Sequence, residues 1–241
     1  MEQKYVLITG ASGGIGRSIA QKLAADGYSL YLHYNKNEQA IMEMMSELAS
    51  SNVELIPIQA DLSSKDGYRK LAENIFSLDA IVLNSGSSAY GLITDMEEEL
   101  VEAMVQLHVT SPFLIGKMLL PKLMNKKHAS IVAITSIWGQ TGASYEVLYS
   151  MVKGAQNAFV KALSKELAPS RIRVNGIAPG AISTPMMEEF SPEDLQHLQA
   201  EIPMGRMGLP HEIAETTAFL LSEKASYITG QIIGVNGGWY T

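Results

Sequence analysis

The 241-residue sequence contains no cysteine. This absence excludes a disulfide framework, thiolate chemistry and any metal site built on cysteine, and it suits a reducing compartment such as the cytoplasm. Basic residues are also in the minority, because 18 Lys and Arg stand against 25 Asp and Glu, for a net charge of −7. Without a basic tract to offset that balance, nucleic acid is not expected as a partner.

Long apolar runs are missing as well. No uninterrupted run reaches the length of a membrane span, and no signal peptide precedes the apolar segment at 5–9, so we expect no membrane partner. The hydrophobic fraction of 46% is that of an ordinary globular protein, and the chain is long enough to bury most of its apolar surface. We expect no metal site.

Segments typical of strands and helices alternate along the chain. Short apolar or β-branched segments predict strands at 5–9, 29–34, 53–60, 80–85, 129–136, 172–179 and 231–235. Helical patterns lie between them, most clearly at 38–49, 97–123 and 145–168. The alternation predicts an α/β fold in which one domain, 1–241, holds a parallel sheet covered by helices on both faces.

The segment 180–209 departs from this alternation. It contains three prolines and four methionines around a short acidic helix pattern at 191–201. A stretch of this length with little regular structure is often a lid or binding loop, and methionine side chains adapt to varied ligands. We therefore expect a substrate lid at about 180–209; the alternative is that the methionines fill gaps in the core.

A glycine-rich turn at 9–16, Thr-Gly-Ala-Ser-Gly-Gly-Ile-Gly, follows the first predicted strand and opens the first helix. Glycines allow a tight turn and a close approach to phosphate, and a helix N-terminus offers free N–H groups and a positive dipole end. In this strand–turn–helix context the turn predicts a dinucleotide site; the alternative is a purely structural turn. The predicted cofactor residues here are Gly10, Ser12, Gly14, Ile15 and Gly16.

The end of the second predicted strand bears on the choice between NAD and NADP. An acidic side chain there would bond the ribose 2′-hydroxyl and repel a 2′-phosphate. This chain has His33-Tyr34-Asn35-Lys36-Asn37 instead, with no carboxylate before Glu38. Asn35 and Lys36 are therefore predicted at the cofactor, and the preference is for NADP(H). The alternative for Lys36 is a solvated loop lysine.

Tyr149 and Lys153 lie four residues apart and share one helical face, and Ser136 precedes them. A nearby ammonium lowers the pKa of a phenol, and such a phenol can protonate a carbonyl oxygen as hydride arrives. Ser136 can hydrogen-bond the same oxygen. Because Tyr and Lys occur at this spacing by chance in many helices, the interpretation depends on the rest of the chain.

Together these motifs resemble the short-chain dehydrogenase/reductase family over the whole chain. The matching residues are the turn at 9–16, Asp61, Asn84-Ser85-Gly86, Ser136, Tyr149, Lys153, Pro179-Gly180 and Thr184. The resemblance implies a single-domain, doubly wound Rossmann fold with a seven-stranded parallel sheet, usually as a homotetramer. It implies catalysis by Ser136, Tyr149 and Lys153. The residues that it further assigns to the cofactor are Asp61, Leu62, Asn84, Ser85, Gly86, Tyr149, Lys153, Pro179, Gly180, Ile182 and Thr184.

Within the family, the segments 165–168, 172–175 and 225–230 resemble bacterial 3-oxoacyl-[acyl-carrier-protein] reductases. The segments 137–142 and 146–149 resemble a subgroup associated with reducing a 5-aminopentanone modification on a lysine of elongation factor P. The resemblance thus implies a ketone substrate carried on acyl-carrier protein or on elongation factor P. A catalytically silent nucleotide-binding or scaffold protein is the alternative of another class.

Two asparagines of the family pattern are replaced, one by Leu83 and one, in the catalytic set, by His108. That second asparagine normally helps hold a water that links the lysine to solvent. Histidine can also bond a water, and it titrates near neutral pH. The alternative is a polar residue tolerated in a helix kinked by Pro112.

Other residues bear on the substrate. Trp138 is predicted to form a wall of the pocket and Glu146 to attract a cationic amine; the alternatives are a packing tryptophan and a solvated carboxylate at a helix start. Both candidate carriers are expected to be acidic, so a basic patch should exist despite the net charge; the alternative is scattered solubilising charge. The candidates for that patch are Lys122, Lys126, Lys127, Arg171 and Arg173.

Overall fold

The computed structural model describes residues 3–185, 187 and 190–241. One sheet of seven parallel strands runs in the order β3-β2-β1-β4-β5-β6-β7. The strands are β1 Tyr5–Ile8, β2 Ser29–Tyr34, β3 Leu55–Gln59, β4 Ala80–Leu83, β5 Ser130–Ile134, β6 Arg173–Pro179 and β7 Ile232–Val235. The predicted fold class is confirmed, and each predicted strand is present, most of them shorter at one or both ends.

Helices connect the strands and cover both faces of the sheet. They are α1 Gly14–Ala25, α2 Glu38–Glu47, α3 Gly67–Glu73, α4 Glu98–Val105, α5 Ser111–Leu123, α6 Trp138–Thr141, α7 Val147–Leu167, α8 Pro192–Glu201 and α9 Pro210–Leu221. Short 3₁₀ turns lie at Ile93–Asp95, Ala168–Ser170 and Glu223–Ala225. The sequence patterns did not predict α3, α6 or α9.

The sheet separates two apolar cores. Side chains of β1 and β5 alternate between them, so Val6 and Ile8 face one core while Leu7 faces the other. The first core lies under α1, α2 and α9, and the second lies under α3, α5 and α7. Strands buried on both faces require continuous apolar sequence, which β1 and β4 have throughout and β5 has after Ser130.

The strand order reverses between β1 and β4, because β1 pairs with β2 on one side and with β4 on the other. The helices that follow β1 and β4 therefore depart on opposite faces, and a crevice opens at the carboxyl ends of these strands. Ligands of doubly wound sheets bind in that crevice. The glycine-rich turn after β1 and Asn84 after β4 both lie there.

The helix between β4 and β5 is continuous from Glu98 to Leu123 but contains a π-helical turn, Gln106–Thr110, between α4 and α5. This 26-residue helix is long and apolar enough to cross a membrane by length and composition alone, which the sequence patterns did not predict. Core helices of globular proteins pass the same test. Here Ile115 and Leu119 are fully buried against the sheet.

Among its described residues, the predicted lid segment carries one α-helix, α8. A capping box starts it, in which Ser191 accepts from the Asp194 N–H and the Asp194 carboxylate accepts from Ser191. Of the four methionines in the segment, Met187 lies at the cleft, Met204 is 65% exposed and Met186 falls outside the described residues.

Candidate active site

A cleft of about 1010 Å³ lies at the carboxyl ends of the strands. One end is formed by the glycine-rich turn and the end of β2, and the other by α6, α7 and described residues of the 180–209 segment. Of the described residues that line it, Lys153 and Glu146 are those with an Asp, Glu, Lys or Arg side chain. A cleft of this size and polarity is suited to a large nucleotide with a second molecule beside it.

The glycine-rich turn is held by close backbone contacts. Gly10 has φ +68°, which favours glycine. A Cβ on Gly16 would lie 2.2 Å from the Gly10 carbonyl oxygen, so no side chain fits there. The Asn84 amide donates to the carbonyls of Thr9 (3.0 Å) and Gly10 (3.1 Å). Gly13, the N-cap of α1, has no side chain to cap the helix, so the first N–H groups of α1 remain available to an anion.

A buried histidine also stabilises the glycine-rich turn. The sequence patterns did not predict this role. His33 in β2 is 2% exposed. Its Nδ1 accepts from the Gly10 N–H at 3.0 Å, and its Nε2 donates to the Ala60 carbonyl at 3.0 Å, which fixes the neutral tautomer. Burial lowers the pKa of His33 to about 4. Protonation of Nδ1 would place its N–H against the Gly10 N–H, and the hydrogen bond between them would be lost.

The pKa of His33 predicts a pH-dependent stability. Its folded pKa lies below the unfolded value of 6.5, so the unfolded chain binds more protons between pH 6.5 and about 4. The free energy of unfolding should therefore fall with pH in this window, by about 2 kcal/mol between pH 6.5 and 5. Denaturant titrations of wild type and His33→Gln at both pH values measure the contribution, and equal losses in both proteins would contradict it.

The predicted cofactor residues converge on the cleft with two exceptions. Those that line it are Gly10, Ser12, Gly14, Ile15, Gly16, Asn35, Leu62, Asn84, Ser85, Gly86, Tyr149, Lys153, Pro179, Gly180, Ile182 and Thr184. Lys36 lies two residues beyond the end of β2, is exposed and does not line the cleft. Asp61 is not a lining residue either. Its carboxylate accepts from the N–H and the hydroxyl of Ser63, so it stabilises the turn in which it lies.

Ser136, Tyr149 and Lys153 come together in the middle of the cleft. Ser136 follows β5, and its hydroxyl hydrogen-bonds that of Tyr149. The Lys153 Nζ lies 5.5 Å from the centre of the Tyr149 ring. It donates to the Ile134 carbonyl at 2.9 Å and to the Gln156 side chain at 3.1 Å.

The pKa values of this group differ from the sequence-based expectation. Burial raises the pKa of Tyr149, and the hydrogen bond from Ser136 opposes that rise without cancelling it. Burial also lowers the pKa of Lys153 to about 7. Lys153 therefore loses much of its charge near neutrality and is hydrogen-bonded to neutral groups, so it can lower the pKa of Tyr149 only in the fraction of molecules in which it is protonated.

His108 lies on the π-helical turn and is completely buried. Its ring meets the Tyr149 ring edge-on, with centroids 6.0 Å apart. Its Nε2 lies 3.1 Å from the Ser87 carbonyl, whereas Nδ1 has no partner among the described residues. Burial, assisted by Lys153, lowers the pKa of His108 to about 3. The expectation that His108 titrates near neutral pH was therefore wrong.

Replacing His108 with asparagine tests this correction. Because His108 is neutral throughout the working range, the His108→Asn variant should give the same shape of pH–rate profile between pH 6 and 9 as wild type. Its rate is expected to fall by no more than about tenfold, the cost of repacking a buried side chain. A titration near pH 6.5 that disappears in the variant would restore the histidine as a proton-transfer group.

The far end of the cleft is aromatic. The rings of Trp138 and Trp239 meet edge-on at 5.1 Å, and those of Tyr90 and Phe190 meet edge-on at 6.3 Å. All four residues line the cleft, so Trp138 forms part of its wall as predicted. Trp239 was missed because it is remote in sequence and belongs to no motif.

Glu146 lies in the same wall. It is half-buried, and the Trp138 indole N–H donates to its carboxylate. Burial raises the pKa of Glu146. None of the ion pairs formed among the described residues includes it. The cleft therefore presents an uncompensated carboxylate next to indole rings.

The five candidates for a basic patch lie elsewhere. Lys122, Lys126 and Lys127 precede β5, and Arg171 precedes β6, so they occupy the sheet edge opposite the cleft. Arg173 donates to the carbonyls of the 220–222 segment, and the Lys126 Nζ pairs with Asp79 at 3.1 Å. These five residues therefore cannot surround the mouth of the cleft.

Comparison of the sequence with known proteins shows which family this chain resembles. The family sequence model described as Enoyl-(Acyl carrier protein) reductase matches residues 10–240. "Uncharacterized oxidoreductase YmfI" of Bacillus subtilis (strain 168) is 58% identical and covers 98% of this chain and 99% of its own. The 3-oxoacyl-[acyl-carrier-protein] reductase FabG of Aquifex aeolicus (strain VF5) is 37% identical and covers 100% of this chain and 98% of its own.

A solved short-chain dehydrogenase/reductase from Brucella melitensis superposes with a TM-score of 0.92 and 34% identity, covering 100% of this chain and 98% of its own. The chain belongs to the short-chain dehydrogenase/reductase family. A second solved structure that this chain resembles is the angucycline C-6 ketoreductase LanV with bound NADP. It is 29% identical with a TM-score of 0.91, covering 97% of this chain and 94% of its own.

Proposed function

We propose that this chain is an NADPH-dependent carbonyl reductase that reduces a ketone held on a protein carrier, a 3-oxoacyl group on acyl-carrier protein being the first candidate. The observation that carries the proposal is the convergence of Ser136, Tyr149 and Lys153 in one cleft with the glycine-rich turn. The similarity to 3-oxoacyl-[acyl-carrier-protein] reductases and to the NADP-bound ketoreductase supports it.

The cofactor fits the residues at its proposed site. The turn leaves no room for a Cβ at Gly16, and the N–H groups at the start of α1 are uncapped, which suits a pyrophosphate. Asn35 lines the cleft at the end of β2, where a carboxylate would repel a 2′-phosphate, and the exposed Lys36 adjoins it.

The reaction needs one hydride and one proton. When bound, NADPH supplies the hydride that the ketone carbon accepts. Tyr149 gives its phenolic proton to the ketone oxygen, which completes the alcohol. Ser136 hydrogen-bonds the same oxygen and orients it. Lys153, when protonated, stabilises the phenolate left on Tyr149 until solvent returns a proton.

Steady-state oxidation of NADPH with an acetoacetyl thioester of acyl-carrier protein tests this proposal. We expect turnover that depends on the ketone and that is faster with NADPH than with NADH. A preference for NADH would contradict the inference from Asn35 and Lys36. Full cofactor binding without turnover of any ketone would instead support a catalytically silent protein.

A second candidate substrate is the 5-aminopentanone modification on a lysine of elongation factor P. Glu146 favours it, because this uncompensated carboxylate beside indole rings suits the cationic amine that such a ketone carries and an acyl thioester lacks. The two candidates share one mechanism at Tyr149 and differ only at the aromatic end of the cleft.

The Glu146→Gln variant separates the two candidates. For the aminoketone on elongation factor P, kcat/KM should fall by about tenfold or more, since a hydrogen bond to a charged group is worth about 1.5–3 kcal/mol. For the acetoacetyl thioester it should change less than about threefold. The neutral substrate serves as the internal control, and equal losses with both would remove Glu146 from substrate recognition.

We also propose that the enzyme acts in the cytoplasm as a homotetramer, as the family resemblance implies. Phe113 on α5 and Met151 on α7 are 57% and 53% exposed, and Met118 is 38% exposed, which supports burial of these helices against other copies. Sedimentation equilibrium should give four times the 26.2 kDa chain mass. A monomer at micromolar concentration would contradict it.

A further inference from the structure

Gln156 lies one helical turn beyond Lys153 on α7, on the same face, and is 4% exposed. Its Oε1 accepts from the Lys153 Nζ at 3.1 Å, and its Nε2 donates to the His108 carbonyl at 3.0 Å. A single buried amide thus links the lysine of the active site to the backbone of a neighbouring helix.

The His108 carbonyl is available because of Pro112. In an α-helix this carbonyl would accept from the N–H four residues later, and proline has none. The turn is π-helical at this point, with the Ser111 N–H bonded to the Gln106 carbonyl. A buried carbonyl without a donor is costly, so Gln156 stabilises the turn while the turn fixes Gln156.

We propose that Gln156 is a positioning residue for proton transfer, which holds the Lys153 side chain in the cleft by tying it to the fixed carbonyl of His108. The proposal rests on the proposed function, in which Lys153 stabilises the Tyr149 phenolate. Lys153 has four rotatable side-chain bonds, and its two hydrogen-bond acceptors among the described residues are the Ile134 carbonyl and Gln156. Of these two acceptors, only the side chain can be changed by substitution.

The groups that face Lys153 are few. Tyr149 faces it from the same helix, His108 from the π-helical turn and the uncharged Ser136 from the end of β5. No ion pair among the described residues includes Lys153. Its protonation is therefore sensitive to the polarity of the residue at position 156.

Two substitutions of similar shape move this protonation in opposite directions. Gln156→Met removes both hydrogen bonds, so the pKa of Lys153 should fall by about one unit. Gln156→Glu places a carboxylate beside the amine, so the same pKa should rise by about one unit or more. NMR of protein carrying ¹³C-labelled lysine follows the Lys153 titration directly, without requiring turnover.

The kinetic readout accompanies the titration. In Gln156→Met, kcat should fall by about tenfold while the Kd for NADPH stays within about threefold of wild type. Asn157→Leu is the matched control, because Asn157 is also a buried amide of α7, bonded to the Gly139 carbonyl, and it makes no bond to Lys153. This control should lose stability but leave the Lys153 titration unmoved.

The outcomes separate this inference from the proposed function. Opposite shifts of the Lys153 titration in Gln156→Met and Gln156→Glu support the inference, even if no ketone is turned over. A titration identical to that of wild type in both variants overturns it, and if wild type reduces a ketone the proposed function still stands. Shifts in the control as large as in Gln156→Met also overturn it, since they would reflect general loosening of α7.

Discussion

The Tyr149→Phe variant should lose turnover and keep its cofactor site. A positioned general acid contributes about 10² to 10⁴-fold to a rate, so kcat is expected to fall by that factor. Neither neighbour can replace the phenol, because Lys153 donates to Ile134 and Gln156 while Ser136 is a far weaker acid. Single-turnover oxidation of NADPH measures the loss, and a fluorescence titration should give a Kd for NADPH within about threefold of wild type.

Tyr145→Phe is the matched control for this prediction. Tyr145 also lines the cleft but is 56% exposed and lies outside the Ser136–Lys153 group. Its loss should change kcat by less than about threefold, as for most surface substitutions. Substantial turnover in Tyr149→Phe would remove Tyr149 as the proton donor, and a large loss in Tyr145→Phe would point to that residue instead.

The second large effect is expected at the glycine-rich turn. In Gly16→Ala the new Cβ would lie 2.2 Å from the Gly10 carbonyl oxygen and 2.8 Å from the Asn84 amide nitrogen. The turn must shift, and overpacking of this kind costs about 1–3 kcal/mol. The Kd for NADPH should rise by about tenfold to a hundredfold, with a matching loss in the free energy of unfolding.

Gly116→Ala controls for adding a methyl group to a buried helix. Gly116 lies within α5, and a Cβ there would meet the Phe159 ring at 3.7 Å, an ordinary contact. Stability should stay the same or rise by about 0.5–1 kcal/mol, with unchanged affinity for NADPH. Wild-type affinity in Gly16→Ala, measured by calorimetry, would show that the turn tolerates a side chain and that its glycines are not needed for phosphate approach.

The fold was largely predictable because its strands are buried on both faces and therefore have continuous apolar sequence. β4 shows this in every residue, and β2 is buried throughout, with Ser29 and His33 as its polar members. The helix α3 was missed because its seven residues give too few turns for a periodic pattern. The π-helical turn was not predictable either, since Pro112 indicates a break in the helix without specifying which form the backbone takes.

The positions of the site residues were predictable where a motif specifies them. Their pKa values were not, because these depend on burial in the folded chain. Ser136, Tyr149 and Lys153 come together as their spacing indicates. The pKa shifts of Tyr149 and Lys153 depend on burial, which no local pattern reveals. The support of Gly10 by His33 joins residues 23 positions apart, whereas Gln156 carried a usable signal in its spacing from Lys153.

Isotope transfer tests the central claim most directly. Wild type and Tyr149→Phe are incubated with NADPH deuterated at the transferable position of the nicotinamide, and with the ketone on acyl-carrier protein or on elongation factor P. The carbonyl-reductase account predicts one deuterium on the former carbonyl carbon of the alcohol made by wild type, detected by mass spectrometry, and almost none with Tyr149→Phe. Absence of deuterated alcohol from both carriers with wild type, or equal incorporation by the variant, would contradict the account.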